Sequence, residues 1–84
     1  MTLKILSPEK TFYDGNTNYV LVPCINNRPF VILENHANMI SALEVGIIKY
    51  KDNSDTLNEL TISGGFLEIR NNVVSMCVEV PLLK

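Results

Sequence analysis

The sequence predicts a small all-β domain, a sandwich or small barrel, on three observations. Apolar runs of four to seven residues are separated, every eight to twelve residues, by clusters with turn chemistry, the spacing of short strands joined by tight connections. No window sustains apolar residues at i, i+3, i+4 and i+7 through three turns; the nearest, Asn38 to Leu43, is long enough only for a helical turn. The last part of the chain reads as a hairpin whose register can be worked out residue by residue.

In chain order, the turn clusters fall at Ser7-Pro8-Glu9, Asp14-Gly15-Asn16, Asn26-Asn27-Arg28-Pro29, Glu44-Val45-Gly46, Asp52-Asn53-Ser54-Asp55, Gly64-Gly65 and Asn71-Asn72. Their residues tolerate positive φ, preset φ or hydrogen-bond their own backbone. Tyr19 to Ile25 is apolar on both faces and carries Pro23, which withholds a ladder donor. It reads as a strand near a sheet edge, one side in the core and the other toward a partner. Arg28 to Leu43 concentrates apolar residues around a loop, and two readings stand: a buried strand followed by a helical turn, or a segment partly exposed for docking. Gly64-Gly65 interrupts Leu60 to Ile69, where a mid-sheet glycine pair marks a bend or a close backbone approach, with positive φ at one of the two.

Asn71-Asn72 suits a two-residue type I′ turn, which demands positive φ at both positions. Pairing Arg70 with Val73 sets Ile69 against Val74 and Leu67 against Met76 on an apolar face. Glu68 then faces Ser75 on a polar one.

Eighty-four residues make one core and not two, since a chain of this size buries roughly 60% of the surface its unfolded form exposes. Residues 1–84 are therefore read as a single domain. The composition is 46% hydrophobic and 19% charged, which leaves apolar area over for a partner. The formal charge is −2 and the seven basic residues are scattered. Without a phosphate-tracking stripe or an aromatic and basic run, nucleic acid is set aside as a partner. No apolar run is long enough to span a membrane, and the first ten residues do not read as a signal peptide, so a cytoplasmic location is expected.

Cys24 and Cys77 lie in apolar runs without Cys or His neighbours at metal-ligand spacing, and read as buried reduced thiols. His36 is the only histidine, and Glu34 is its sole carboxylate neighbour; a structural or interface role is favoured over metal binding. Ser41, Ser63 and Ser75 stand in no nucleophile-elbow context. Ser63-Gly64-Gly65 precedes a strand rather than the helix N-terminus a phosphate loop requires. Glu9, Glu34 and Glu44 each stand apart from a second carboxylate. No catalytic, cofactor-binding or metal-ligating residue is assigned, and the activity expected is binding.

The stretch ILENHANMISALEVGIIKY resembles the signature of the epsilon subunit family of F-type ATP synthases, close to G-I-L-P-x-H-A-P-L-x-T-A-L-x-P-G. TISGGFLEIRNNVVSMCVEV is similar to the family's S-G-G-F-x-E-V-x-x-N-x-V-T-V segment, and LKILSPEKTFYDG to its first hairpin. The resemblance covers nearly the whole chain. It implies a flattened antiparallel sandwich or barrel of about ten strands, peripheral to the cytoplasmic face of a bacterial membrane and not inserted into it. Such a subunit rides on the rotor stalk, touching gamma on one side and the ring of c subunits below; torque passes through these contacts and no bond is made or broken in it.

By position, Ser7, His36 and Ser41 match family positions that face gamma, and Asn27, Arg28 and Pro29 match the loop that faces the ring. Where the family has prolines after Leu33 and Ala37, this chain has Glu34 and Asn38, and Arg28-Pro29-Phe30-Val31 replaces an acidic, glycine-rich loop. The family continues into a C-terminal helical hairpin that inhibits catalysis and in some bacteria binds ATP. With the sequence ending at Pro81-Leu82-Leu83-Lys84, neither property is expected. Surface that a hairpin would cover is left for self-association, or for Val80 to Leu83 to fold back over. A binding module of the same fold outside the synthase is the alternative reading.

Overall fold

Strands of five to seven residues with period-two alternation each hide one face, so two sheets must close on one another to bury them. The computed structural model describes residues 1–25 and 28–81, with the backbone alone for Cys24 and Ile25. Among these residues nine strands form: β1 (Thr2–Leu6), β2 (Thr11–Asn16), β3 (Val20–Ile25), β4 (Arg28–Ile32), β5 (Met39–Leu43), β6 (Gly46–Lys51), β7 (Leu57–Ile62), β8 (Gly64–Arg70) and β9 (Val73–Glu79). One sheet has the order β2-β1-β9-β8-β5 and the other β4-β3-β6-β7. The domain is flattened, 38 × 30 × 20 Å.

The core is a single cluster. Leu3, Ile5, Leu67, Ile69, Val74 and Met76 from the five-stranded sheet join Val20, Val22, Ile32, Ile48 and Ile62 from the other, all at most 1% exposed. Each such side chain contributes about 1.5–3 kcal/mol by leaving water. Tyr13 and Tyr50 stack across the sheets with ring centroids 4.9 Å apart. The Tyr13 hydroxyl donates to Asn16 O at 2.6 Å, and Asn53 Oδ1 accepts from the Asn16 amide at 3.2 Å, tying β2 to the β6–β7 turn. That turn is held by Asp52, whose Oδ1 accepts from the amides of Ser54 and Thr56 and whose Oδ2 accepts from Asn58. The Asn58 amide, then the Thr56 backbone, hold the Asp52 carboxyl below its usual range.

The last hairpin forms in the expected register, with Arg70 opposite Val73, Ile69 opposite Val74, Glu68 opposite Ser75 and Leu67 opposite Met76. Asn71 and Asn72 have φ of 50° and 65°. The Gly64-Gly65 expectation also holds. Gly65 has φ 156°, and a Cβ there would collide with the Cys77 carbonyl oxygen and lie 3.0 Å from Val78 Cα. Only a glycine lets β8 approach β9 this closely.

Other expectations need correction. Nine strands form among the described residues rather than ten. Asn38 to Leu43 is no helical turn: Met39–Leu43 pairs antiparallel with β8, the sheet edge supplying hydrogen-bond partners that a five-residue helix could not supply for itself. Asp14-Gly15-Asn16 closes β2, opposite Thr2 to Lys4, and the chain turns just afterwards. The pairing is antiparallel throughout the two sheets except for β1 with β9, which run parallel; these strands come from opposite ends of the chain, so no short connection dictates their direction. The Tyr19 to Ile25 run does lie near a sheet edge, but one strand in, β3 standing between edge strand β4 and β6. Its pairing with β6 covers only Val20 and Leu21. Buried Pro23 lies beyond that ladder, against Gly46, where any Cβ would meet its ring. Proline is accommodated by ending the ladder rather than by placing the strand at an edge.

The strand directions give the sandwich two ends. One carries the Ser7–Lys10 turn, the β5–β6 and β7–β8 connections and the start of β4. The other carries Met1, the β2–β3 connection, the β4–β5 loop and the Asn71-Asn72 turn.

Candidate docking surface

On β8 and β9 the alternation that sends Leu67, Ile69, Val74 and Met76 inward turns Phe66, Glu68, Ser75 and Cys77 outward. Register then aligns four outward residues across four strands: Ala42 opposite Phe66, Phe66 opposite Cys77, and Cys77 beside Leu6. With strands about 4.8 Å apart, this row is roughly 15 Å long. Phe66 is 66% exposed, and Ile40, the next outward residue on β5, is 73% exposed. The adjoining rung is mixed, Ile40, Glu68, Ser75 and Lys4, and Glu68 pairs with Arg70 at 3.3 Å. A contiguous apolar strip bordered by charge on a regular sheet is the form of an interface core with a polar rim.

Ser7 stands at one end of this row. Its amide donates to Lys10 O at 2.8 Å, and its Oγ accepts from the amides of Glu9 and Lys10 at 3.3 and 3.2 Å. This hydroxyl-held turn sets Pro8 beside Leu6 and Cys77 around a shallow apolar depression. Ser41 stands at the other end, on edge strand β5 opposite Leu67. It is half-buried, its Oγ bonds Ala42 O at 3.2 Å, and its outward neighbours Ile40 and Ala42 belong to the exposed strip.

His36 lies at the far end of the sandwich from Ser7, in the β4–β5 loop. Its amide donates to Leu33 O at 3.3 Å, its Nδ1 is 2.8 Å from Ala37 O, and its ring meets Phe30 edge-on at 5.2 Å. Glu34 is engaged elsewhere, with the Met1 amine and Asn72. The Asn72 amide, then the Met1 amine, hold the Glu34 carboxyl below its usual range. Arg28 and Pro29 are exposed at the start of edge strand β4, at the Ser7 end but on the other sheet. Asn27 lies outside the described residues.

The structure therefore brings Ser7 and the β5 segment that carries Ser41 to the two ends of one strip, Ser41 itself lying on the inner side opposite Leu67, sets His36 apart along the same domain, and separates Arg28 and Pro29 from all three. Sequence reasoning does not reach the strip itself, although the hairpin register does: one outward rung beyond Glu68–Ser75 stands Phe66–Cys77, an apolar pair on the polar face. Cys77 is accordingly exposed and free rather than buried, because its neighbours Met76 and Val78 take the inward positions. The Cys24 side chain lies outside the described residues. Val80 packs on the core, and Pro81 joins Phe12, Leu60 and Thr61 around an apolar groove of about 550 Å³. The rest of the segment expected to fold back, Leu82 to Lys84, lies outside the described residues.

Residues 1–82 match the family described as ATP synthase, Delta/Epsilon chain, beta-sandwich domain. The ATP synthase epsilon chain of Desulfitobacterium hafniense is 35% identical over 78 residues, covering 93% of this chain and 58% of that one. The ATP synthase epsilon chain of Leptospira borgpetersenii is 31% identical over 84 residues, covering 100% and 65%. The chain thus spans less than two thirds of the length of these relatives. Among solved structures, a chain of the Euglena gracilis mitochondrial ATP synthase matches with a TM-score of 0.79 at 18% identity, covering 90% of this chain and 48% of that one. A chain of the Tetrahymena thermophila mitochondrial ATP synthase central stalk and c-ring matches with a TM-score of 0.77 at 17% identity, covering 94% and 63%. At these identities the likeness to solved structures is one of fold.

Proposed function

The chain belongs to the ATP synthase delta/epsilon β-sandwich family, and on that premise we propose that it is an epsilon-type rotor subunit that docks gamma across the outer face of its five-stranded sheet. Arg28 and Pro29 turn toward the ring of c subunits. The subunit sits peripherally at the cytoplasmic face of a bacterial membrane; no helix among the described residues is long and apolar enough to cross one.

The observation that carries this reading is the exposed strip of Leu6, Cys77, Phe66 and Ala42 with Ile40 beside it, lying between Ser7 and Ser41. Large aromatic side chains in desolvated pockets dominate interface energies, commonly at about 2 kcal/mol or more each, and Phe66 is the side chain of this face suited to that role. His36 extends the footprint along the domain. A strand of six residues spans roughly 20 Å, so the strip can form the apolar centre of an interface of about 800 Å² per partner but not the whole of it. The subunit's work is mechanical: two interfaces on opposite parts of one close-packed core transmit torque because such a core hardly deforms. No bond chemistry is asked of the subunit itself.

The test is capture of gamma and of assembled c-ring from the source organism by the wild-type chain, Ser41→Arg, His36→Ala and Arg28→Glu. Ser41→Arg, which forces a charge into the β5 edge, abolishes gamma capture; His36→Ala weakens it; Arg28→Glu reduces ring capture and leaves gamma binding in place. A wild-type chain that captures neither partner removes the rotor reading and leaves a binding module of the same fold.

A further inference from the structure

We propose that Asn72 and Glu34 are positioning residues for the His36 loop: a polar clasp from the β8–β9 turn holds the β4–β5 loop in place. The turn and the loop are far apart in sequence and meet through side chains. Asn72 uses both ends of its amide, with Nδ2 donating to Glu34 Oε1 at 2.7 Å and Oδ1 accepting from the Asn35 amide at 2.9 Å. Asn38 Oδ1 accepts from the Asn71 amide at 2.9 Å, closing the loop from its other side. Glu34 also receives the Met1 amine, at 2.8 Å on Oε1 and 2.7 Å on Oε2. His36 lies between the two attachment points, two residues from Glu34 and two from Asn38.

Three features make this more than a tidy turn. A type I′ turn needs only a residue that accepts positive φ at Asn72, which glycine satisfies as well, so the side chain is free to serve another element. Asn35 has φ 60°, a conformation that few non-glycine residues adopt, and it is at this residue that the backbone amide is tied to Asn72. The loop residues that supply the clasp, Glu34 and Asn38, stand where the signature this sequence resembles has its first two prolines. A proline fixes φ but offers no side-chain acceptor; here side-chain hydrogen bonds do the fixing. The inference rests on the reading of His36 as a gamma-facing residue for its consequence, and on the geometry alone for its existence.

The experiment is residue-resolved amide hydrogen exchange of the chain on its own, with melting curves for each variant. Asn72→Gly keeps the turn and deletes the clasp. The melting temperature stays close to wild type, while exchange at Asn35 and His36 accelerates by about tenfold or more. Glu34→Gln keeps an acceptor for Asn72 and retains the protection; Glu34→Ala loses it. Unchanged exchange at Asn35 and His36 in Asn72→Gly overturns the proposal, as does equal behaviour of Glu34→Gln and Glu34→Ala. Because gamma is absent from this measurement, a loop that loosens as expected in a chain that never binds gamma leaves the clasp standing and removes only the rotor reading.

Discussion

The exposed strip and the Asn71-Asn72 turn belong to one hairpin and use their chemistry in opposite ways. At the turn, both ends of the Asn72 amide and the Asn71 backbone amide find partners in the β4–β5 loop. A few residues away, Phe66 is left 66% exposed on a regular strand, where period-two alternation demands that one face of the hairpin look outward. Polar density therefore does not by itself mark a docking site. The turn's groups are spent on the fold, whereas the strip is where the chain leaves apolar surface uncovered.

Truncation on either side of the sheet separates the two faces most strongly. Met76→Ala removes a fully buried side chain and costs about 2–5 kcal/mol. Its outward counterpart Phe66→Ala changes stability by no more than about 0.5 kcal/mol. Chemical denaturation of the two variants checks this, and comparable losses would mean that Phe66 serves the core after all. The next largest effect is at Gly65, which brings β8 onto β9 beneath the strip. Gly65→Val forces a Cβ into the Cys77 carbonyl oxygen and costs on the order of 1–3 kcal/mol. For a domain of this size each kcal/mol lowers the melting temperature by about 4–8 °C. An unchanged melting temperature would contradict the close approach.

The smallest effect is acid loosening at the turn. Hydrogen bonding by Asn72, then the Met1 amine, lowers the Glu34 pKa in the folded state. The clasp therefore carries its charge-assisted strength above the ordinary glutamate range and loses that part as pH falls through the depressed folded value, the neutral carboxyl still accepting from Asn72 as a glutamine would. An NMR titration of the Glu34 carboxyl in wild type and Asn72→Gly checks the cause: the midpoint lies below the ordinary value in wild type and moves back toward it in the variant. A midpoint that does not move would assign the depression to the Met1 amine instead.

Much of this fold is legible where the contacts are local. The Asn71-Asn72 turn determines its own register, and the glycine pair announces a close approach, because both depend on neighbours a few residues away. Met39 to Leu43 is not legible, since a five-residue apolar segment suits a helical turn as well as a strand until β8 presents its edge. Pro23 reads correctly as a break in a ladder near an edge, but the sequence does not show that β6 stops pairing at Leu21 and tucks Gly46 beneath the ring. Parallel pairing of β1 with β9 joins the two ends of the chain, which no local pattern encodes. Of the candidate site, Ser7 and Ser41 come from the resemblance, and the structure sets them at opposite ends of a strip that the hairpin register alone could have exposed. The clasp at Glu34 and Asn38 lies beyond sequence reading, because its partners are more than thirty residues away.

Calorimetric titration of purified gamma into the wild-type chain and into Phe66→Ala decides whether gamma docks, as proposed, on the outer face of the five-stranded sheet. Docking there lowers the affinity of Phe66→Ala by about thirtyfold, the equivalent of roughly 2 kcal/mol, with the melting temperature of the free chain essentially unchanged. Equal affinity of gamma for the two chains would contradict it and move the docking surface to another face.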